Sequence, residues 1–180
     1  MPHGTITAMR WPAPPGNVWL DPRVAIRRSP IEGRGLFAVA AIGRDEVAVR
    51  VGGRIVDTVE LEHLIAATEV DPTLPYVDTI TVHDDEHLVL PSGSPAHFGN
   101  HSCDPTLWFG GPYELVARWD LEPGDELTLD YGTISGAPGF TMPCRCGSGI
   151  CRGVVTSEDW RRPELRERYR GRWVPALDAP

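Results

Sequence analysis

The four cysteines of the chain constrain its fold more than any other feature. Cys144, Cys146 and Cys151 lie close together in the segment PCRCGSGICRG, and Cys103 lies far earlier, in NHSCDP. A C-x-C-x4-C spacing can present three thiolates from one loop, and a tetrahedral zinc ion bound by sulfur needs a fourth ligand. Cys103 is the only remaining candidate, because no other residue of the chain is a cysteine. The pattern therefore predicts a zinc site made of all four thiols.

Disulfide bonds and free thiols are the alternatives. A bond between Cys144 and Cys146 is disfavoured by disulfide geometry. A bond from Cys103 to the loop, with a second bond between Cys146 and Cys151, stays open for a secreted chain. If zinc is bound, we expect it to order the C-terminal segment and to hold that segment over a binding site.

Length, charge and composition limit the class of protein. A chain of 180 residues is long enough for one domain with a real core. It has 17 basic and 25 acidic residues, a net charge of −8, and no lysine. This balance argues against direct binding of nucleic acid and favours a basic peptide partner. With no visible membrane span or secretory signal, we expect a soluble intracellular protein, cytoplasmic if the arginine-rich composition reflects a bacterial source.

Short β-prone runs separated by turn residues make up most of the chain, which predicts an α+β domain that is mostly β. Residues 57–67 have apolar side chains at helical spacing and are predicted to form a helix capped by Asp57 or Thr58. A second helix, capped by Ser157 and limited by Pro163 and Gly171, is predicted over 157–172. The irregular segment 91–112 is expected to be functional. The predicted strands are 24–28, 36–40, 46–51, 54–56, 76–82, 87–90, 115–119 and 127–129.

Three further features are weak when taken singly. The glycines of GRG at 33–35 are typical of an ordinary tight turn. His101 could be a structural side chain or a ligand, and Tyr131 could be a core or turn residue. The sequence contains no spacing typical of a Ser-His-Asp triad and no phosphate-binding loop.

Taken in order, however, GRGLFA, NHSCDP, ELTLDYG and CRCGSGICRG resemble the SET-domain protein lysine methyltransferases that carry a post-SET zinc loop. The resemblance runs from about Arg28 to Gly153. It implies a SET-domain fold of short β-sheets with a knot-like crossing of the NHSCDP and ELTLDYG segments, followed by a C-terminal zinc loop. It divides the chain into an irregular arm at 1–22, a SET domain at 23–135, and a post-SET zinc loop with a tail at 136–180.

The resemblance also implies a reaction and a set of site residues. The reaction is transfer of a methyl group from S-adenosylmethionine to a lysine amine in a basic peptide or protein. Tyr131 corresponds to the tyrosine at the methyl-transfer pore, and Tyr76 is a candidate for a second pore tyrosine. His101 is expected on the adenine side of the cofactor. The residues expected to bind the cofactor are Gly33, Arg34, Gly35, Leu36, Phe98, Asn100 and His101, and those expected to hold a structural zinc are Cys103, Cys144, Cys146 and Cys151.

The chain departs from the family pattern in places. Family members usually have arginine where His97 stands and asparagine where Thr106 stands, and the insert from Asp84 to Gly93 has no clear counterpart. Two alternative functions therefore stay open. One is a catalytically silent SET-like module that binds a peptide, and the other is a methyltransferase that acts on a small amine or a peptide natural product.

Overall fold

The computed structural model describes residues 12–83, 85–134 and 139–174. Trp11, which falls in the N-terminal arm expected from the sequence, lies outside the described residues. In chain order the strands are β1 (Trp19–Leu20), β2 (Val24–Arg28), β3 (Arg34–Ala38), β4 (Val47–Arg50), β5 (Arg54–Val56), β6 (Thr79–His83), β7 (Glu86–Val89), β8 (Leu107–Gly111), β9 (Glu114–Ala117), β10 (Glu126–Leu127), β11 (Thr141–Pro143) and β12 (Val154–Thr156). The helices are α1 (Thr58–Val70) and α2 (Pro163–Arg168), with short 3-10 turns at Pro95–Phe98, Tyr131–Thr133 and Asp159–Arg161.

The strands form four small antiparallel sheets. Their orders are β1-β4-β9-β8, β10-β3-β2, β5-β7-β6 and β11-β12. Strands such as β3 and β4 are short and rich in apolar or β-branched residues, so their inward side chains can reach one shared core. That core includes Leu36, Val49, Phe109, Leu121 and Leu127. The prediction of an α+β domain that is mostly β is confirmed.

Helix α1 begins where the sequence predicts. The side chain of Asp57 accepts a hydrogen bond from the backbone N–H of Glu60 at 2.7 Å, which satisfies one of the free donors at the helix start. The helix continues three residues past the predicted end at Ala67 and stops at Val70. Leu61 is its buried residue, so α1 packs on the core through a narrow face.

The predicted helix over 157–172 is wrong as a single element. A 3-10 turn at Asp159–Arg161 is followed by α2, which begins at Pro163 because proline lacks the N–H of a helix interior but suits a first turn. Ser157 is not its N-cap; its backbone N–H donates to the carbonyl of Phe140. The tail is also more than a solvated face, since it buries Leu165, Tyr169, Trp173 and Val174 in the core.

The segment 91–112 is less irregular than its composition predicts. It contains the 3-10 turn at Pro95–Phe98 and strand β8, whose Leu107 and Phe109 are almost fully buried against β9. Pairing with β9 outweighs the low strand propensity of the glycines that follow Phe109. Strand β6 also begins at Thr79, three residues after the predicted start at Tyr76. Neither helix within the described residues is long and apolar enough to cross a membrane.

Candidate functional site

Two segments that are distant in the sequence lie side by side at the centre of the site. The backbone N–H of Ser102 donates to the carbonyl of Leu129 at 3.1 Å, and the N–H of Leu129 donates to the carbonyl of Asn100 at 3.0 Å. A parallel bridge joins His101 to Leu129. These contacts place the NHSCDP segment next to Tyr131, which begins the following 3-10 turn.

The four cysteine sulfurs form one cluster. All four Sγ atoms lie within 4.8 Å of one another, and those of Cys103 and Cys144 are 3.7 Å apart. Four sulfurs at about 2.3 Å from a central ion would be separated by nearly this distance. All four are free thiols, so the disulfide alternative is absent from this structure. The cluster could hold a metal ion.

Backbone amides surround this thiol cluster. The N–H groups of Arg152 and Gly153 donate to the sulfurs of Cys103 and Cys151 at 3.3 and 3.4 Å. The loop itself is closed by β11 and β12 and by a hydrogen bond from the N–H of Cys144 to the carbonyl of Gly153. Donors of this kind favour thiolates, the form of cysteine that binds metals.

His101 connects the thiol cluster to Tyr131. The ring is almost fully buried; its Nδ1 accepts a hydrogen bond from the N–H of Tyr131 at 3.1 Å, and Nε2 lies 3.3 Å from the sulfur of Cys103. Burial lowers the pKa of His101 to about 4, against the opposing effect of Asp130. The ring is therefore neutral, with its proton on Nε2 facing the sulfur. Both ring nitrogens are engaged within the protein, so an adenine contact by this residue would use its backbone.

A buried ionic network is centred on Asp130, the residue before Tyr131, and no sequence motif indicates it. Arg152 donates two hydrogen bonds to Asp130, at 2.6 and 2.7 Å, and one to Asp159 at 2.8 Å. The hydroxyl of Tyr169 donates to the same Asp130 carboxylate at 3.0 Å. All three charged side chains are at most 6% exposed. Asp130 caps the turn at Tyr131 and also anchors the tail through Arg152 and Tyr169.

The glycine turn is fixed by Asn100. Its amide donates to the carbonyls of Glu32 and Arg34 and to the carboxylate of Glu126. A Cβ at Gly35 would lie 2.2 Å from a carboxylate oxygen of Glu126, so a larger residue would have to displace that side chain from Asn100. Gly33 has a φ of 45°, which glycine adopts without strain. Phe98 lies under the guanidinium of Arg34, 4.5 Å from its carbon.

A cavity of about 420 Å³ lies beside this turn and beneath Tyr131. Its walls are mainly apolar and include Leu36, Val49, Val51, Leu107, Leu115 and Leu127. The Tyr131 hydroxyl donates to the carbonyl of Gly99 at 2.8 Å, and burial raises the pKa of Tyr131, so its phenol stays neutral. Tyr76 lines the same cavity while 67% exposed, which places it at the mouth.

Among the described residues, the cavity lining contains one acidic residue and one basic residue. Asp78 and His97 line it and form a pair, with Oδ2 of Asp78 2.7 Å from Nδ1 of His97. His97 is one of the positions at which the sequence departs from the family pattern. Asp78 was not predicted, because it lies in no recognisable motif. Of the predicted site residues, Leu36, Tyr76 and Tyr131 line the cavity. The others lie beside it or beyond it, in the glycine turn, the central crossing and the thiol cluster: Gly33, Arg34, Gly35, Phe98, Asn100, His101, Cys103, Cys144, Cys146 and Cys151.

Comparison with known proteins identifies the class to which this fold and site belong. The SET domain family matches residues 33–132, and the chain therefore belongs to the SET-domain family. A crystal structure of the methyltransferase domain of human histone-lysine N-methyltransferase SETMAR has the same fold, with a TM-score of 0.60 and 24% sequence identity. That match covers 74% of this chain and 58% of the SETMAR chain.

Several curated proteins are similar in sequence. The histone-lysine N-methyltransferase TRX1 of Oryza sativa subsp. japonica is 30% identical over 143 residues, which are 74% of this chain and 14% of that protein. The histone-lysine N-methyltransferase ash1 of Drosophila melanogaster is 30% identical over 140 residues, which are 72% of this chain and 6% of that protein. Human histone-lysine N-methyltransferase 2B is 29% identical over 139 residues, 72% of this chain and 5% of that protein. The chain thus spans a small part of each relative.

Proposed function

We propose that the chain is an S-adenosylmethionine-dependent protein-lysine N-methyltransferase. The observation that carries the proposal is Tyr131, a half-buried residue with a neutral phenol on the wall of a mainly apolar cavity within a SET domain. The similar proteins that carry histone-lysine N-methyltransferase names support the reaction class. The acidic balance of the chain supports a basic peptide or protein as substrate.

The cavity has the size of a small-molecule site, and the residues proposed to hold the cofactor lie beside it, except for Leu36, which lines it. A volume of about 420 Å³ falls within the range of small-molecule sites, about 300–1,000 Å³. The residues proposed to hold it are the glycine turn at 33–36 and the segment containing Phe98, Asn100 and His101. When bound, S-adenosylmethionine supplies a methyl group carried on a positively charged sulfonium.

The protein's part in such a reaction is to align the amine and to keep it neutral. The hydrogen bond to Gly99 fixes the Tyr131 ring, so its oxygen and its face can orient an incoming amine. The apolar walls disfavour the ammonium form of a lysine, whose pKa in water is about 10.4. Tyr76, at the mouth, is placed to contact the lysine stem as it enters.

We also propose that the thiol cluster holds a structural zinc ion. Sulfur spacing near that of a tetrahedral site and the N–H donors to Cys103 and Cys151 support this assignment. Zinc would fasten the loop at 144–151 to the NHSCDP segment, and so support the boundary between a SET domain at 23–135 and a post-SET region at 136–180. No step of the reaction needs the metal.

Mass spectrometry of basic proteins after incubation with the chain and S-adenosylmethionine tests the proposal. Histones and other lysine-rich proteins are the natural first panel. We expect lysine residues that gain the mass of one or more methylene groups, with stoichiometric S-adenosylhomocysteine. Cofactor binding without product on the whole panel would instead favour a silent peptide-binding module, and methylation of small amines alone would redirect the substrate class.

A further inference from the structure

The pair formed by Asp78 and His97 lies where the substrate amine would enter. The carboxylate oxygen and Nδ1 are 2.7 Å apart, and both residues line the cavity together with Tyr76 and Tyr131. The ring of His97 is also 5.8 Å from that of Tyr76, centroid to centroid. The pair is therefore part of the cavity lining and not an ion pair on a distant surface.

The hydrogen bond fixes which nitrogen of His97 carries a proton. A carboxylate only accepts, so Nδ1–H must donate to Asp78, and in a neutral ring Nε2 then has a free lone pair. Nε2 has no hydrogen-bond partner within the described part of the chain. The His97 side chain is 44% exposed, so a proton taken up by the ring can pass to solvent. A carboxylate that orients a histidine in this way is the arrangement of a general base.

In the proposed reaction the lysine must lose a proton, because it reaches the site mainly as an ammonium ion and only the neutral amine can attack a methyl group. We propose that His97 removes this proton and that Asp78 is the residue that positions the imidazole; this inference rests on the methyltransferase function proposed above. One N–H bond of the ammonium breaks, its electron pair stays on the lysine nitrogen, and the proton is taken up by Nε2. Asp78 stabilises the resulting imidazolium, which later loses its proton to water.

The other groups around the pair are poorer bases. Desolvation raises the pKa of the half-buried Tyr131, and its hydroxyl already donates to Gly99. Arg34, on the strand packed against the turn that contains His97, stacks on Phe98 and is always cationic. The Thr79 hydroxyl, buried in the same lining with no partner among the described residues, is left to accept a remaining N–H of the amine. An arginine at position 97, usual in the family, could not perform this role.

The first test reads the ring directly, in the cofactor-free protein. Nitrogen-15 NMR of the histidine side chains, assigned with His97→Gln, should show the neutral His97 ring with its proton on Nδ1. In Asp78→Asn the proportion of the Nε2–H form should rise. A wild-type ring protonated mainly on Nε2 would overturn the proposal.

The second test is the pH profile of kcat/KM for the methylated substrate found by mass spectrometry. His97→Gln should lower kcat/KM about 10²-fold near pH 7, the low end of typical general-base contributions. The deficit should shrink to a few-fold near pH 10, where the lysine loses its proton to solvent. His97→Arg should have the same effect on kcat/KM as His97→Gln. Asp78→Asn should lower kcat/KM about 10-fold near pH 7. The matched control is His63→Gln, which changes an exposed histidine.

The outcomes separate this inference from the function on which it rests. A deficit of equal size at every pH, with cofactor affinity retained in calorimetry, would mean that His97 is structural and would overturn the dyad alone. Full activity in His97→Gln would also overturn the dyad alone. A wild-type protein that forms no S-adenosylhomocysteine at any pH would overturn the dyad and the proposed methyltransferase together.

Discussion

The backbone N–H of Tyr131 donates a hydrogen bond to Nδ1 of His101 at 3.1 Å. The other nitrogen of the same ring lies 3.3 Å from the sulfur of Cys103. One buried imidazole therefore links the thiol cluster to the residue that we place at the methyl-transfer pore. A change in the order of the cluster, on binding or loss of a metal, should therefore be transmitted to the backbone of Tyr131.

The first prediction concerns Tyr131 itself. Tyr131→Phe removes the hydroxyl that donates to Gly99 and would orient the amine, so turnover should fall by about 10²-fold or more while cofactor affinity changes little. Steady-state kinetics and calorimetry check the two quantities. Tyr113→Phe is the matched control, a buried tyrosine that is not among the residues lining the cavity. Full activity in Tyr131→Phe would remove this residue from its proposed role.

The second prediction concerns the thiol cluster. We expect elemental analysis of freshly purified protein to find one zinc ion per chain, and removal of the metal by a chelator to lower both the free energy of unfolding and the affinity for cofactor. Cys146→Ser should lose the metal, whereas Ser148→Ala, in the same loop, should keep it. Folded protein that contains no metal would contradict the assignment.

The third prediction concerns the buried network under Tyr131. Arg152→Met leaves Asp130 and Asp159 buried without their cation, which should lower the free energy of unfolding by about 3–5 kcal/mol. Arg161→Ala removes an exposed pair with Glu158 and a contact with the Trp160 ring, and should cost less than about 2 kcal/mol. Urea unfolding followed by circular dichroism measures both. Similar losses for the two variants would show that the network does not anchor the tail.

The fourth prediction concerns pH. The ring of His87 is buried between the hydroxyls of Thr58 and Thr81, and burial lowers its pKa below the ordinary histidine value. The unfolded chain therefore binds a proton more readily, and the free energy of unfolding should decline as the pH falls through and below about 6.5. His87→Gln should make this part of the stability curve less steep. Part of the decline should remain, because burial also lowers the pKa of His101, to about 4.

The exposed His63 in helix α1 provides the control for that experiment. Unfolding curves in urea from pH 5 to pH 8 should show the same decline for His63→Gln as for the wild-type protein. A decline that persists unchanged in His87→Gln would assign the effect to other groups.

Much of the fold and part of the site followed from local patterns. The N-cap at Asp57 and the apolar spacing after it predicted helix α1, because both signals lie within the segment itself. The prediction of a single helix over 157–172 was wrong. Pro163 breaks the backbone hydrogen bonding, and the tail takes its shape from burying Tyr169 and Trp173 against the rest of the chain.

The sequence by itself determined the family. It also predicted Tyr131 as a site residue and the four thiols as one group, because these residues occur in short motifs that follow one another in a fixed order. Only the tertiary structure decided that Arg152 neutralises Asp130 and Asp159, that His101 joins Cys103 to Tyr131, and that Asp78 meets His97 inside the cavity. The physical reason is that these interactions are made across long stretches of chain, and the fold alone sets their distances and removes them from water. The sequence alone does not distinguish an aspartate that caps a turn from an aspartate that orients a base.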